Sequence, residues 1–173
     1  SFATRKASEP AEKSELSAVT LDGRGGNNWE QLLAGACERD DDVAAFAKND
    51  RLGFTIPYVH ERRAHDYVPD FLVRLVRAPG EAFDRTLIVE TSGSQKSPGP
   101  TIEKANTARD RWCGAVNNHG GFGRWGYIEI TNPVGVREQL ASAIEALYAD
   151  QALIGDPDLL DINRLWRGDR AAS

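Results

Sequence analysis

Two apolar runs, each with a carboxylate set inside it, constrain the fold of this chain more than any other feature. Tyr67-Val68-Pro69-Asp70-Phe71-Leu72-Val73-Arg74-Leu75 and Thr86-Leu87-Ile88-Val89-Glu90-Thr91-Ser92-Gly93 are rich in β-branched residues, as strands of a half- or fully buried sheet are. An ionised Asp or Glu is costly in such a strand unless something cationic lies against it. The connection between the runs contains Pro79-Gly80, so they are expected to pair as a hairpin. Neighbouring strands lie about 4.8 Å apart, so carboxylates registered on one face can share a divalent ion. Alternation puts Glu90 and Ser92 on the face of Ile88, and Val89 and Thr91 on the opposite face.

The chain has 173 residues, 40% of them hydrophobic and 27% charged, which suits one soluble domain with a single core. Residues 1–18, largely polar at first, read as a flexible lead-in or linker, and residues 19–173 as the domain. The lack of any Met, even at position 1, reads as a piece of a longer polypeptide. Charge interrupts every apolar run short of a membrane span and no signal peptide opens the chain, so a cytoplasmic, non-membrane protein is expected. Cys37 and Cys113 form no CxxC pair and are expected as buried, reduced thiols. The net charge of −5 argues against indiscriminate nucleic-acid binding, but it is unevenly spread. From His60 to Trp125 ten Lys/Arg face eight Asp/Glu, a local +2, while the remainder carries eleven against eighteen, or −7. A modestly basic middle suits a narrow phosphate-facing groove.

In chain order, Val19-Thr20-Leu21 reads as a short extended segment, and Asn27 or Asn28 can cap a helix from Trp29 to about Glu38, striped by Trp29, Leu32, Leu33 and Ala36. Asp40-Asp41-Asp42 predicts the acidic N-terminus of a second short helix through Val43, Phe46 and Ala47. Phe54 to Val59 alternates like a strand that Pro57 confines to an edge, and His60 to Ala64 reads as the turn into the Asp70 strand. Ser92 to Pro100 reads as a loop. Thr101 then opens a helix through Ile102, Ala105, Ala108, Trp112 and Val116, ended by Asn117 to Gly121. Lys104 and Arg111, seven apart, are expected to share a face of it. Phe122 to Thr131 reads as a strand, and Val136, Leu140, Ile144, Leu147 and Tyr148 stripe a closing helix. From Asp156 onward the order is helix- and loop-like. Strands flanked by helices, with a crossover helix into a further strand, make an α/β domain.

Pro-Asp, a gap of about twenty residues, then Glu on a second strand resembles the PD-(D/E)XK nuclease core. More specifically, the chain resembles the C-terminal nuclease domain of type III restriction enzyme helicase–nuclease subunits. The resemblance rests on Asn49-Asp50-Arg51-Leu52-Gly53-Phe54-Thr55-Ile56-Pro57-Tyr58, Tyr67-Val68-Pro69-Asp70-Phe71 and Val89-Glu90-Thr91-Ser92-Gly93. It continues through Lys104, Arg111-Trp112-Cys113 and Ala115-Val116-Asn117 to Phe122-Gly123-Arg124-Trp125, and so covers most of residues 29–131. It implies a restriction-endonuclease-like αβββαβ core with a central mixed sheet flanked by helices. It also implies double-stranded DNA as substrate, and partnership with a helicase/ATPase region of the same full-length protein or a methyltransferase subunit. This chain itself has no GxxxxGK[ST] phosphate loop. In one position it departs from the family: Ser92 stands where the motif normally has Lys.

Phosphodiester hydrolysis needs charge neutralised on the phosphoryl oxygens, a water deprotonated and aimed, and a leaving oxygen stabilised. Mg²⁺, with Mn²⁺ as a substitute, typically takes one or two protein carboxylates, and Asp70 and Glu90 meet that need. The resemblance implies two further ligands: a backbone carbonyl beside Glu90, from Thr91, and an additional carboxylate one turn into the first helix, Glu30. Ser92 cannot bring an ammonium to the phosphate as Lys would. Lys96 in the adjoining loop and Lys104 in the crossover helix are the replacements, with Lys104 preferred because the resemblance includes proteins in which this Lys has moved to a neighbouring helix. The competing reading is a nuclease fold that has lost cleavage and serves as a DNA- or protein-binding module. Arg62, Arg63, Arg109, Arg111 and Arg124, with Lys96, are candidate contacts to DNA phosphates. Trp112 and Trp125 read as packing residues, and His65 as at most an outer support of the site.

Overall fold

The computed structural model describes residues 7–10, 12–14, 18–21, 29–50, 52–91 and 98–149. Strands β1 (Ala7–Pro10) and β2 (Ala18–Leu21) pair antiparallel, so part of the stretch read as a lead-in is a strand. Helix α1 (Trp29–Arg39) buries Leu33, Ala36 and Cys37, while Leu32 faces outward, which turns the apolar stripe slightly from the one expected.

The three aspartates after α1 do not open a helix. Asp42 N donates to Asp40 Oδ1 at 3.0 Å and Val43 N to Asp40 O at 3.1 Å, so the carboxylate locks a turn. The next element is β3 (Val43–Lys48), paired antiparallel with a later strand. The alanines there favour helix only weakly, and six residues are too few for a helix to stand against a ladder of sheet hydrogen bonds and the burial of Val43 and Phe46.

Next come β4 (Ile56–His60) and β5 (Arg63–Tyr67), a two-stranded hairpin in which Pro57 meets Asp66. Only Glu61 and Arg62 form its turn, both with positive φ, so the turn is two residues rather than the five expected. The Asp70 run is likewise broken. Pro69 has no N–H to give a ladder, so Tyr67 ends the hairpin, Val68 to Asp70 cross over, and β6 (Phe71–Leu75) begins afresh in the central sheet. Then β7 (Arg85–Thr91) pairs antiparallel with β6, as expected of the two carboxylate-bearing runs.

A long helical stretch comes after β7. It comprises α2 (Pro98–Asn106), a π-helical segment (Thr107–Cys113) and α3 (Gly114–His119). Its buried positions Ala105, Ala108, Cys113 and Asn117 include a step of five, which is the π turn. That step also separates Lys104, which is half-buried, from Arg111, which is exposed. The stretch ends at Gly120, whose φ of 74° carries the chain out of the helix. Strand β8 (Arg124–Ile130) then lies parallel to β7, and α4 (Val136–Tyr148) closes the described chain.

The molecule is therefore a mixed α/β fold on a four-stranded sheet in the order β3-β6-β7-β8, antiparallel but for the β7–β8 pair. One sheet face carries Phe46, Phe71, Val73, Leu87, Val89 and Ile130 against α1 and α4. The other carries Ile88 against Tyr58, Tyr67, Ala108 and Cys113 of the hairpin and the crossover helix. On that second face Trp112 stands edge-on to Trp125 and to Phe54, and Phe54 stacks on Trp125, so both tryptophans are packing residues as expected. Cys37 and Cys113 are buried and free, and burial first of all pushes both thiols up to about 12. Among the described residues no helix is long and apolar enough to cross a membrane.

Gly123, with φ of 77°, brings the chain so close to β7 that an added Cβ would lie 2.2 Å from Asp84 O, the atom that accepts the Arg124 amide. Gly80 has a similar φ of 84° but open space around it. Gly123→Ala is therefore expected to cost at least about 3 kcal/mol in urea unfolding, and Gly80→Ala about 1 kcal/mol. Equal losses would show that the close approach at Gly123 is not fixed.

Candidate functional site

The register of β6 and β7 decides where the two carboxylates meet. Phe71 pairs with Val89, so the next residues outward, Asp70 and Glu90, lie across from each other at one end of the sheet. Val89 faces α1 and α4, so alternation turns Glu90 toward the opposite face, while Asp70 sits just outside β6 at the same sheet end.

Asp70 stands just before the strand, where its carboxylate can bend back over the sheet end. Its Oδ2 accepts hydrogen bonds from Thr91 N at 2.8 Å and Thr91 Oγ1 at 2.6 Å. Two donors on one oxygen fix the rotamer and compensate lost hydration. Asn49 fixes the backbone beneath. Its amide donates to Asp70 O at 2.8 Å, and its Nδ2 to Pro69 O at 3.0 Å and Phe54 O at 2.8 Å. Asn49 thereby ties the crossover from hairpin to sheet at the residue before Asp70. Its Oδ1 is buried without a hydrogen-bond partner among the described residues.

Glu90 is 8% exposed, and its Oε2 accepts the Tyr67 hydroxyl at 2.8 Å. Tyr67 in turn shares a hydrogen bond with the Tyr127 hydroxyl. Burial above all, with the Tyr127 hydroxyl and the Glu90 carboxylate beside it, pushes Tyr67 far above the ordinary tyrosine range, so it remains a proton donor. Burial likewise raises Tyr127. In the β7–β8 register Glu90 is level with Glu129, two residues beyond Tyr127 on the same strand.

Lys104 projects from α2 toward this group. Its Nζ lies 5.7 Å from the Tyr67 ring centroid and 5.9 Å from that of Tyr58, within cation–π range of both. The crossover helix thus brings Lys104 to the tyrosine that holds Glu90. Ser92 and Lys96 lie outside the described residues.

Glu30 has a different setting. It pairs with Lys48 at 2.9 Å, with side chains only 14% and 10% exposed. Lys48 is level with Phe71, so this pair lies on the α1 face, across the sheet from Glu90. Arg62 and Arg63 form the exposed tip and first strand residue of the β4–β5 hairpin, and Arg111 is exposed on the π-helical segment. Arg109 pairs with Asp110 at 2.8 Å, and Arg124 donates to Asn117 O at 3.0 Å and lies over the Phe83 ring. Arg124 is thus built into the start of β8. His65 stacks on Tyr58 with centroids 5.3 Å apart, one residue removed from Lys104 and Tyr67.

No protein-family model, curated protein or solved structure matches the chain. Among the described residues no group of three or more His, Cys, Asp or Glu could hold a metal ion. The donor set at the sheet end is two carboxylates and nearby backbone carbonyls, all hard oxygen. That set fits Mg²⁺, which takes one or two carboxylates and leaves its other positions to water and phosphate.

Sequence reasoning missed Tyr67, Tyr127, Lys48 and Asn49. Tyr67 is hidden because its run of apolar neighbours reads as one strand with Asp70, whereas it ends β5. Pro69, unable to join a ladder, was the signal that separates the two. Lys48 was hidden by the helix expected over 43–47, and Tyr127 by aromatic crowding in β8, where its alternation with Glu129 was the available sign.

Breaking the Glu30–Lys48 pair takes a close opposite charge away from a side chain in a mostly dry setting. Lys48→Met is expected to cost about 2–4 kcal/mol, and Lys48→Met with Glu30→Gln distinctly less, in a double-mutant cycle by thermal or urea melting. Additive losses would mean that the two side chains act separately.

Proposed function

We propose that this chain is a Mg²⁺-dependent endonuclease domain that hydrolyses phosphodiester bonds of double-stranded DNA in a restriction or related defence system of the type III kind. The observation that carries this reading is the placement of Asp70 and Glu90 across from each other at one sheet end. The order of α1, three antiparallel strands, a crossover helix and a parallel strand also supports it, since this is the αβββαβ order of the restriction-endonuclease-like core.

In this reading Asp70 and Glu90 hold the ion, with the Thr91 carbonyl as a further ligand. When bound, Mg²⁺ supplies charge neutralisation at the phosphate and makes a coordinated water acidic enough to attack. The chain's own part is to keep both carboxylates oriented. The Thr91 amide and hydroxyl hold Asp70, and the Tyr67 hydroxyl holds Glu90. Lys104, above the Tyr67 ring, supplies the positive charge that Ser92 lacks. Arg62, Arg63 and Arg111, all exposed, and Lys96 contact the DNA backbone. The ATP-driven partner is a helicase region of the same full-length protein, and Glu30, paired with Lys48, contributes packing rather than a ligand.

Ser92 favours one competing reading, a nuclease fold retained as a binding module. Plasmid nicking with Mg²⁺ or Mn²⁺ separates the two. Asp70→Ala and Glu90→Ala are each expected to reduce cleavage by on the order of 100-fold or more, and Lys104→Ala by about 10-fold or more. Cleavage that survives both carboxylate changes contradicts the endonuclease. A chain that cuts nothing until Ser92→Lys is introduced marks the binding module.

A further inference from the structure

Glu90 cannot rely on water for its orientation. It is 8% exposed, in a strand whose neighbours Ile88 and Val89 are fully buried, and its side chain has three rotatable bonds. Directly against it stands Tyr67, 2% exposed, at the last position of β5. Tyr67 is held from three sides. Its backbone pairs with Ile56 in the hairpin, its ring packs in the cluster with Ile88 and Ala108, and its hydroxyl meets both Glu90 and Tyr127. The hairpin that delivers it is tied to the crossover helix by His60 Nδ1 and Glu103 Oε2 at 2.5 Å.

We propose that Tyr67 is the positioning residue for Glu90: its hydroxyl fixes one carboxylate oxygen and so holds Glu90 in the single rotamer that serves as an ion ligand at the sheet end bearing Asp70. This rests on the ion-binding reading above and adds a role for the β4–β5 hairpin, which is inserted between β3 and β6. The hairpin becomes a support that reaches the metal ligand from the side opposite α1. Carboxylate ligands are themselves commonly held by hydrogen bonds, and losing such a bond costs metal affinity more than it costs fold stability. Tyr127, behind Tyr67, fixes the Tyr67 hydroxyl. Lys104 rests on the Tyr67 ring face, so the same side chain locates both the ligand and the cation that stands in for the motif Lys.

Tyr67→Phe tests this cleanly, because it removes one oxygen and keeps the ring beneath Lys104. Mn²⁺ alone is titrated calorimetrically into the 173-residue chain, its Tyr67→Phe variant and its Glu90→Gln variant, with melting curves recorded for each. Tyr67→Phe is expected to weaken Mn²⁺ binding about 10- to 100-fold while the cooperative melt is retained, and Glu90→Gln to abolish binding. If Tyr67→Phe binds as tightly as the unaltered chain while Glu90→Gln loses the ion, the positioning role is overturned and the ion site stands. If the unaltered chain takes up no Mn²⁺, or Glu90→Gln binds it equally well, the ion reading falls and this role with it. Should Tyr67→Phe fail to fold, Tyr127→Phe, which loosens the Tyr67 hydroxyl, is expected to weaken binding about 3- to 10-fold, and unchanged affinity there overturns the proposal.

Discussion

A carboxylate that leaves water for the end of a β-sheet needs donors aimed at it, and this chain supplies them from elements distant in sequence. Thr91 reaches Asp70 across 21 residues and Tyr67 reaches Glu90 across 23. The Asp70–Thr91 bonds close only when β6 and β7 are in the observed register, since a slip by one residue would carry Thr91 away from Asp70. The acids are therefore not decorations on a finished sheet. The bonds to Asp70 favour one register over its neighbours, and the hydrophobic alternation of Val89 and Ile88 between two separate cores favours the same one.

The elements around this pair serve to keep it in place. Pro69 ends one ladder and lets another begin, which frees the chain to pass from hairpin to sheet at Asp70. Asn49 then bonds that passage at Pro69 and Asp70, and ties it to Phe54 ahead of the hairpin. The parallel strand β8 brings Tyr127 level with Ile88 and Glu129 level with Glu90, and the long helix that must connect β7 to β8 carries Lys104 over Tyr67. In the proposed reading the missing motif lysine is compensated by topology, because the crossover helix starts soon after Glu90 and packs on the same face.

Much of this was legible in the sequence where one period dominates. The β6–β7 pair, the facing of Glu90 with Ile88, and the helices α1 and α4 follow from apolar spacing of two or of about 3.6. Where two signals compete, the sequence alone does not choose between them. Asp40 to Asp42 suit a helix N-terminus as well as a turn, and only pairing with β6 selects the turn and the strand. The π turn between Ala108 and Cys113 inserts an extra residue that no regular period anticipates, so Arg111 departs from the face of Lys104. Tyr67 was invisible as a site residue because a tyrosine among apolar neighbours reads as core. Its function depends on where one hydroxyl points, and that is set by a hairpin whose boundaries the sequence left blurred.

The central claim is that Asp70 and Glu90 form one ion site. Anomalous diffraction from crystals soaked in Mn²⁺ measures it directly. The account predicts a single strong peak within coordination distance of carboxylate oxygens from both residues, with Tyr67 still bonded to Glu90. A peak bound by neither acid, or no ordered peak at saturating Mn²⁺, would contradict it.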